Sequence, residues 1–490
     1  AGEALRRAST APRRGALAGL RGIGASFVLL GGLLAVPASA EIHLPPTREV
    51  TLGNGARLVL AEKHELPLIA FHAFVRGGSI SDPPGKEGLA ALTGAMLRKG
   101  AGKRSALAIS QATDGAGADF ATGGSYEIFW VSGEFMARDE ALMVELLRDT
   151  LRRPLFPDSE FVKLRAQTVD ALRSEKDDPW GVLGEYGLAY LFPSHPYGRP
   201  VSGDESTVAG ITREDVLACY RGRFGGDRLI VTVVGDFDSR RMESQLKAAF
   251  GDWPRAPEPL PDVAVPPRVE GRRVLLVDKP DATQTYFWMG NRGVARKDPD
   301  RDVVDVANTA FGGRFTSILN SEMRTKSGLT YGVRCRFMRL GQPGSVAISS
   351  FTKTDSTQRA MDMALRLLGQ LREKGIDATM VTSVKSYLSG LYPPQLETGD
   401  EIATTLADLA YHGLPTTEAT QYVERIERVP TASILPVIDR AYPDPKDLSI
   451  VMIGNAAAIR KVAQKYGSVR EIRFDRPLLQ TVHGASARAR

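Results

Sequence analysis

Two hydrophobic periodicities alternate along the chain. Apolar residues at every second position, or in short unbroken runs, predict β-strands at residues 125–135 and 227–235. Residues 50–62 place Asn54-Gly55 between two such stretches, which predicts a β-hairpin. Other stretches place apolar residues three or four positions apart, and they predict helices at residues 88–99, 139–152, 159–176, 212–224 and 239–250.

The order of these elements predicts an α+β fold that is written twice. Hairpin-forming strands beside segregated helices are typical of two-layer α+β domains and not of doubly wound ones. Arg76-Gly77-Gly78 is echoed by Arg292-Gly293, 216 residues later, and Gly235 is echoed by Gly454, 219 residues later. Two landmarks at nearly the same offset indicate a duplicated domain.

The mature chain is expected to divide at its middle. Residues 252–273 contain six prolines and little apolar periodicity, which predicts a semi-extended linker. A first lobe is therefore expected at residues 45–251, a second lobe at 274–475 and a tail at 476–490.

Composition narrows the class of protein. A chain of 490 residues exceeds what one hydrophobic core usually fills, and 43% apolar with 24% charged residues is typical of globular proteins. The net charge of +6 comes from the ends, because residues 1–40 carry five Arg against one Glu and the last ten residues carry Arg488 and Arg490. The body is neutral, which argues against a nucleic-acid partner. Two cysteines, Cys219 and Cys335, are too few for a cysteine-rich zinc site or a disulfide framework.

The N-terminus predicts export. An Arg-rich stretch precedes an apolar run at residues 22–37, and Ala38-Ser39-Ala40 follows as a cleavage site, so residues 1–40 are predicted to be a signal peptide. The run is short for a stable membrane span, and a periplasmic location is expected. Arg13-Arg14 leaves a twin-arginine signal open, and an Arg-rich mitochondrial presequence is the competing interpretation.

Three motifs carry a resemblance to a known family: DPPGKEGLAALTGAMLRKGAGKRS at 82–105, FPSHPYGRPVSG at 192–203 and FGGRFTSILNSEMRTKSGLTYGV at 311–333. In their order and spacing they resemble the pitrilysin/insulinase metallopeptidases (inverzincins), in the branch of mitochondrial processing peptidase. The resemblance covers nearly all of residues 45–475. It implies two tandem homologous lobes, each a mainly antiparallel β-sheet layered with helices.

The resemblance also implies a zinc site that this chain has lost. Active members carry H-x-x-E-H, in which two His on one helix face bind zinc and the Glu polarises the metal-bound water. The matching stretch here is Ala-Leu-Thr-Gly-Ala at 91–95, so Ala91 and Ala95 stand at the ligand positions and Gly94 at that of the base. The family's third ligand matches Ala171. These residues have no lone pairs to donate, so no metal is expected on this chain.

No histidine elsewhere replaces the missing ligands. No two of the six are spaced three or four apart, His72 is expected to be a packed or hydrogen-bonded strand residue, and His195 matches a structural turn of the family; the six are His43, His64, His72, His195, His412 and His483. The sequence also has no G-x-S-x-G elbow, and residues 100–105 lack the Ser or Thr that a P-loop needs after its Lys.

The second half keeps another feature of the family. Arg324 and Tyr331 match an Arg/Tyr pair that, in relatives, reaches the facing metal site and holds the substrate backbone. A guanidinium and a phenol can both donate to a carbonyl oxygen that gains negative charge. Gly312, Gly313 and Phe315 precede the pair and are expected to form the turn and the first contact of its helix. Together with Arg324 and Tyr331 they are the expected substrate-binding residues.

The leading hypothesis is a non-catalytic subunit of a periplasmic zinc-metallopeptidase heterodimer. A related chain would carry the zinc on its H-x-x-E-H motif, and this chain would supply Arg324 and Tyr331 in trans to peptide substrates. The alternative is a non-enzymatic peptide-binding or scaffold protein on the same two-lobed fold. An independent enzyme that uses another site is the third possibility.

Overall fold

Residues 44–483 are described by the computed structural model. The predicted signal peptide, His43 and residues 484–490 of the predicted tail lie outside the described residues.

The first half of the chain forms a six-stranded sheet with the order β1-β2-β8-β3-β7-β6. The predicted hairpin is confirmed, because β1 and β2 pair antiparallel with Thr51 opposite Arg57, and Gly55 takes a positive φ of 98° in the turn. Among the strands described at residues 44–251, β2 and β8 are the only parallel pair. The strands are β1 Thr47–Thr51, β2 Arg57–Glu62, β3 Leu68–Arg76, β6 Asp119–Gly124, β7 Ile128–Met136 and β8 Leu229–Gly235, with β4 Gly100–Ala101 and β5 Arg104–Ser105 in a separate ribbon.

Helices pack around this sheet. The five predicted helices are confirmed to within three residues at each end, whereas α2, α5 and α6 were not predicted. The helices are α1 Leu89–Met96, α2 Ala106–Ala116, α3 Glu140–Arg152, α4 Asp158–Glu175, α5 Pro179–Leu191, α6 Glu205–Ala209, α7 Arg213–Arg223 and α8 Ser239–Phe250.

The second half repeats the arrangement, with the order β11-β12-β10-β13-β9-β14. Five strands correspond in position, but the sixth differs: β1 opens its lobe and pairs antiparallel, whereas β14 closes its lobe and pairs in parallel with β9. The strands are β9 Arg273–Asp278, β10 Gln284–Arg292, β11 Val333–Arg339, β12 Pro343–Lys353, β13 Ser449–Gly454 and β14 Ser468–Arg473. The predicted α+β fold of two homologous lobes is confirmed.

The helices of the second half are α9 Arg301–Asn308, α10 Ile318–Asn320, α11 Thr357–Lys374, α12 Ala378–Leu391, α13 Gly399–His412, α14 Thr417–Thr420, α15 Tyr422–Arg428, α16 Thr431–Ala441, α17 Ala456–Ala463 and α18 Leu478–His483. Two π-helical segments, Thr309–Gly313 and Ser321–Lys326, flank α10. No helix between residues 44 and 483 is both long and apolar enough to cross a bilayer.

The proline-rich segment between α8 and β9 contains neither helix nor strand. It is nevertheless held in place, because the His195 ring nitrogen Nε2 lies 2.8 Å from the Ala264 carbonyl and the Asn291 amide donates to the Val269 carbonyl. His195 also accepts the Tyr197 backbone N–H on Nδ1. This pattern confirms the structural role that was expected of His195.

Each lobe contributes one helix to the sheet of the other lobe. Helix α5, from the first half, buries Leu183 and Tyr186 against Trp288 and Val451 of the second sheet. A Cβ on Gly187 would lie 2.5 Å from the Trp288 indole, so only glycine permits this approach. Helix α13, from the second half, covers the first sheet in the same way.

The contact of α13 combines apolar burial with a buried histidine. Leu406 is 1% exposed and packs in a cluster with Phe74 and Val234 of the first sheet. His72 of β3 lies 2.8 Å from the Asp400 carboxylate of α13, and this contact lowers the pKa of Asp400. The expectation that His72 is a hydrogen-bonded strand residue is therefore confirmed.

A buried polar contact joins the lobes at a second place. The Tyr197 hydroxyl donates to the Glu127 carboxylate at 2.6 Å and accepts the Gln342 backbone N–H at 3.0 Å. The Gly341 N–H donates to the same carboxylate. Glu127 is buried, so these partners replace the water that its carboxylate loses.

The helix exchange predicts that one substitution in α13 destabilises both lobes. Leu406→Ala should lower the free energy of unfolding by about 2–5 kcal/mol, because it removes a buried side chain from the cross-lobe contact. Leu435→Ala, at a 39% exposed position of α16, is the matched control and should change it by less than about 0.5 kcal/mol. Urea unfolding followed by circular dichroism measures both free energies of unfolding. Two separate unfolding transitions, of which Leu406→Ala shifts only one, would contradict the prediction.

Candidate functional site

Helix α1, which carries the positions of the lost metal motif, is anchored at its N-terminus. The Asp82 carboxylate accepts the Ala90 N–H at 3.1 Å and pairs with Arg223 at 3.2 Å. Burial raises the pKa of Asp82 to about 7, while the Ala90 N–H and the Arg223 guanidinium favour the ionised form. Because both members of the pair are buried, removing either would leave an uncompensated polar group.

The face of α1 that bears Gly94 lies directly on the backbone of edge strand β6. A Cβ on Gly94 would lie 2.2 Å from the Gly123 carbonyl carbon, and a Cβ on Gly124 would lie 2.5 Å from the Ala90 carbonyl oxygen. Glycine at these positions permits the contact. The strand backbone therefore abuts the position at which active relatives carry the catalytic Glu.

The three alanines at the former ligand positions are less buried. Ala91 and Ala95 are half-buried on α1, and Ala171 is exposed on α4. Methyl groups cannot coordinate zinc, so these residues do not fit the metal that the family resemblance implies. Among residues 44–483 there is also no group of three or more His, Cys, Asp or Glu side chains that could hold a metal ion.

Nearby Cys219 does not alter this conclusion. It lies on α7, which packs against α1, and it is 4% exposed. Burial raises the pKa of the Cys219 thiol to about 11. Burial thus disfavours the thiolate that zinc binds, and a single thiol supplies only one of the ligands that a zinc site needs.

Tyr331 is exposed on the second lobe, whereas Arg324, in the π-helical segment Ser321–Lys326, is half-buried. The Arg324 guanidinium lies 4.5 Å from the centroid of the Phe315 ring, which is 65% exposed. Tyr331 is 78% exposed. The loop before β11 is held by buried Thr330, whose hydroxyl donates to the Gly332 carbonyl at 2.9 Å and accepts from Ser350 at 3.1 Å. A fixed loop thus carries an unpacked phenol.

The two glycines before Phe315 have different surroundings. A Cβ on Gly312 would lie 2.4 Å from the Cys335 backbone nitrogen, so Gly312 lets the π-helical segment Thr309–Gly313 approach β11. A Cβ on Gly313 would lie 3.1 Å from the Asn308 carbonyl oxygen, a tight contact but not an impossible one. Both glycines shape the backbone before Phe315.

A feature that sequence reasoning missed lies between the lobes. A cavity of about 1200 Å³ is lined by residues of both halves, including Trp130, Trp180, Gly184 and Trp288. Neither the former metal positions nor Arg324, Tyr331 and Phe315 line it. In the sequence, glycine recurs at every third residue of WGVLGEYG on α5. Which of these glycines lines a cavity depends on the sheet that the helix covers, and the sequence does not show this.

Comparisons with known proteins agree with this geometry. Residues 57–205 match the model of the insulinase family (peptidase family M16), and residues 210–388 match that of the peptidase M16 inactive domain. A relative described as an uncharacterized zinc protease of Streptomyces coelicolor is 28% identical over 60% of this chain and 65% of its own length. The non-peptidase homologue YmxG of Helicobacter pylori is 24% identical over 87% of this chain and 97% of its own length.

Solved structures show the same fold. A peptidase M16 inactive domain from Pseudomonas fluorescens superposes with a TM-score of 0.77 at 22% identity, covering 84% of this chain and 98% of the other. A protease from Helicobacter pylori gives 0.77 at 20% identity, with 84% and 100% covered. With its metal-ligand positions occupied by alanine, the chain belongs to the M16 insulinase peptidase family as a non-catalytic homologue.

Proposed function

We propose that this chain is the non-catalytic subunit of a periplasmic zinc-peptidase heterodimer, and that it supplies Arg324 and Tyr331 to the zinc site of a related partner. The observation that carries the proposal is the combination on one chain of a metal helix without ligands, an exposed Tyr331 on a fixed loop and an Arg324 guanidinium over the exposed Phe315 ring. The predicted signal peptide supports the periplasmic location.

The surface position of the pair supports action in trans. Tyr331 has most of its surface in solvent, and Arg324 stacks on an exposed ring, so both can reach a second molecule. A buried Tyr at this position would instead indicate a packing role. The Arg324 guanidinium carries five N–H donors, and its contact with the face of the Phe315 ring takes up no hydrogen-bond acceptor.

The chemistry assigned to the pair is electrostatic. The zinc and its bound water on the partner would perform peptide hydrolysis. Tyr331 would donate its O–H, and Arg324 its N–H groups, to peptide carbonyl oxygens near the scissile bond. Donors fixed before the reaction stabilise the developing negative charge at little reorganisation cost.

Backbone pairing offers a way to hold the peptide. Strand β6 is an edge strand of the first sheet, paired only with β7 among the strands of residues 44–483. An extended peptide can add to such an edge through main-chain hydrogen bonds. The non-enzymatic alternative, a peptide-binding or scaffold protein, would use the same edge without hydrolysis.

In the reconstituted heterodimer, Tyr331→Phe should lower kcat on the order of a hundredfold, because one donor to the developing oxyanion is lost. Tyr387→Phe is the matched control, since Tyr387 is a partly exposed tyrosine of the same lobe, and should leave kcat unchanged. Size-exclusion chromatography should show normal assembly of both variants. If Tyr331→Phe retains full turnover, the pair has no role in trans.

The purified chain alone should hold substoichiometric zinc and cleave no peptide.

The substitutions Ala91→His and Ala95→His should leave the fold intact, since both positions are half-buried. Adding Gly94→Glu should lower the free energy of unfolding by a further ~1–3 kcal/mol, because the new Cβ meets the β6 backbone. Metal analysis and urea unfolding test this; a stable triple variant with chelator-sensitive hydrolysis would contradict it.

A further inference from the structure

The cavity between the lobes is larger than a typical small-molecule pocket. Its volume of about 1200 Å³ exceeds the roughly 300–1,000 Å³ of ordinary ligand sites. Exposed residues line part of it, among them Gly181, Gly184, Arg336 and Gln395, so it communicates with solvent. A segment of several residues, and not only a compact cofactor, has room to enter.

Its walls are strongly aromatic. Three of the four tryptophans of the chain, Trp130, Trp180 and Trp288, line the cavity. Phe74 joins them from the first sheet, and the Arg334 guanidinium lies 4.3 Å from the centroid of the Trp180 ring. Aromatic walls of this kind bind apolar side chains through large buried contact areas.

Charged side chains at one end of the cavity compensate one another. Arg296 contacts Asp408 at 2.9 Å, and Arg425 contacts Asp302 at 2.9 Å. Two further pairs, Arg301 with Glu418 and Arg339 with Asp305, line the same region. Because these guanidinium groups already have carboxylate partners, the region favours an uncharged ligand over a charged one.

Two serine side chains of β12 line the cavity, and their hydroxyls are available for hydrogen bonds. Ser345 is 6% exposed, Ser349 is half-buried, and both line the cavity. Within residues 44–483 neither side chain has a hydrogen-bond partner. Residues four apart on a strand are separated by about 13.6 Å, which is twice the two-residue repeat at which an extended peptide presents its backbone groups on one side. An acyl chain would leave both hydroxyls unsatisfied.

Gly184 of α5 leaves open space in the wall of the same cavity. A Cβ at this position would meet nothing within 4 Å, unlike one on Gly187, which would meet Trp288. A glycine inside a helix costs about 0.5–1 kcal/mol relative to alanine. Close packing therefore does not explain Gly184, and its surroundings leave room for a ligand.

We propose that the inter-lobe cavity is a binding site for an uncharged, extended peptide segment with aromatic or aliphatic side chains. The side chains occupy the tryptophan-lined wall, and the peptide backbone bonds Ser345 and Ser349. This site is separate from Arg324, Tyr331 and the former metal positions. It acts in the single chain and needs no zinc-bearing partner.

Binding is tested with the full chain alone and a terminally blocked hexapeptide in which leucine and phenylalanine alternate with serine. The peptide lacks tryptophan, so saturable quenching or a shift of the protein's tryptophan fluorescence reports occupancy near Trp130, Trp180 and Trp288. A peptide of equal length with glutamate and lysine in place of leucine and phenylalanine should bind about tenfold more weakly or not at all.

Two cavity variants test whether the hexapeptide binds in the inter-lobe cavity. Gly184→Phe should weaken hexapeptide binding at least about tenfold by filling the cavity, and Ser345→Ala should weaken it severalfold. Gly115→Phe is the matched control, because Gly115 is an exposed helical glycine of α2 whose Cβ also meets nothing within 4 Å, and it should bind as the wild type does. Circular dichroism checks that each variant is folded.

Three results would overturn the proposal: no saturable signal with the wild type, equal binding by the wild type and both cavity variants, or displacement of the peptide by lauroyl glycerol at lower concentration. Each is independent of the heterodimer, because the assay contains neither zinc nor a partner. A negative result would concern the cavity alone, because the role of Tyr331 in trans is tested separately by the kcat of the heterodimer.

Discussion

The structure depends on the burial of one helix from each lobe against the sheet of the other. Helix α5 places Leu183 and Tyr186 on the second sheet, and α13 places Leu406 on the first. One face of each sheet is therefore covered by helices of the same lobe, and part of its second face is covered by a helix of the opposite lobe. Neither lobe completes its apolar burial alone, so the duplicated halves form one cooperative unit.

This exchange also creates the space between the lobes. Because α5 and α13 cover only part of the facing sheet surfaces, the uncovered parts of β10, β12 and the first sheet meet across a gap. Polar contacts join the lobes beside this gap, because the backbone N–H groups of Gly341 and Gln342, in the loop between β11 and β12, donate to Glu127 and Tyr197 of the first lobe. The motif around His195 is structural because it supports this junction.

The former metal site differs from that of zinc-bearing relatives in its backbone packing as well as in its missing ligands. Gly94 brings α1 onto the backbone of β6, and the buried Asp82–Arg223 pair holds the start of that helix. The second lobe, in contrast, keeps Arg324 and Tyr331 at its surface, where packing alone would not require them. The proposed action in trans rests on this contrast between a closed position on α1 and accessible donors on the second lobe.

The sequence alone predicted the hairpin, two further strands and five helices of the first half, the duplication, and the missing zinc ligands at residues 91, 95 and 171. Each of these depends on local information: the hydrophobic period of β7 or α8, the Asn54-Gly55 turn, and the residue types at 91–95 and 171. Helix α5 shows the limit. It is apolar almost all round, so its period did not show which faces are buried, and its three glycines carry different roles. Only the tertiary structure assigned Gly187 to packing on Trp288 and Gly184 to open space, because that distinction depends on contacts between residues a hundred positions apart in the chain.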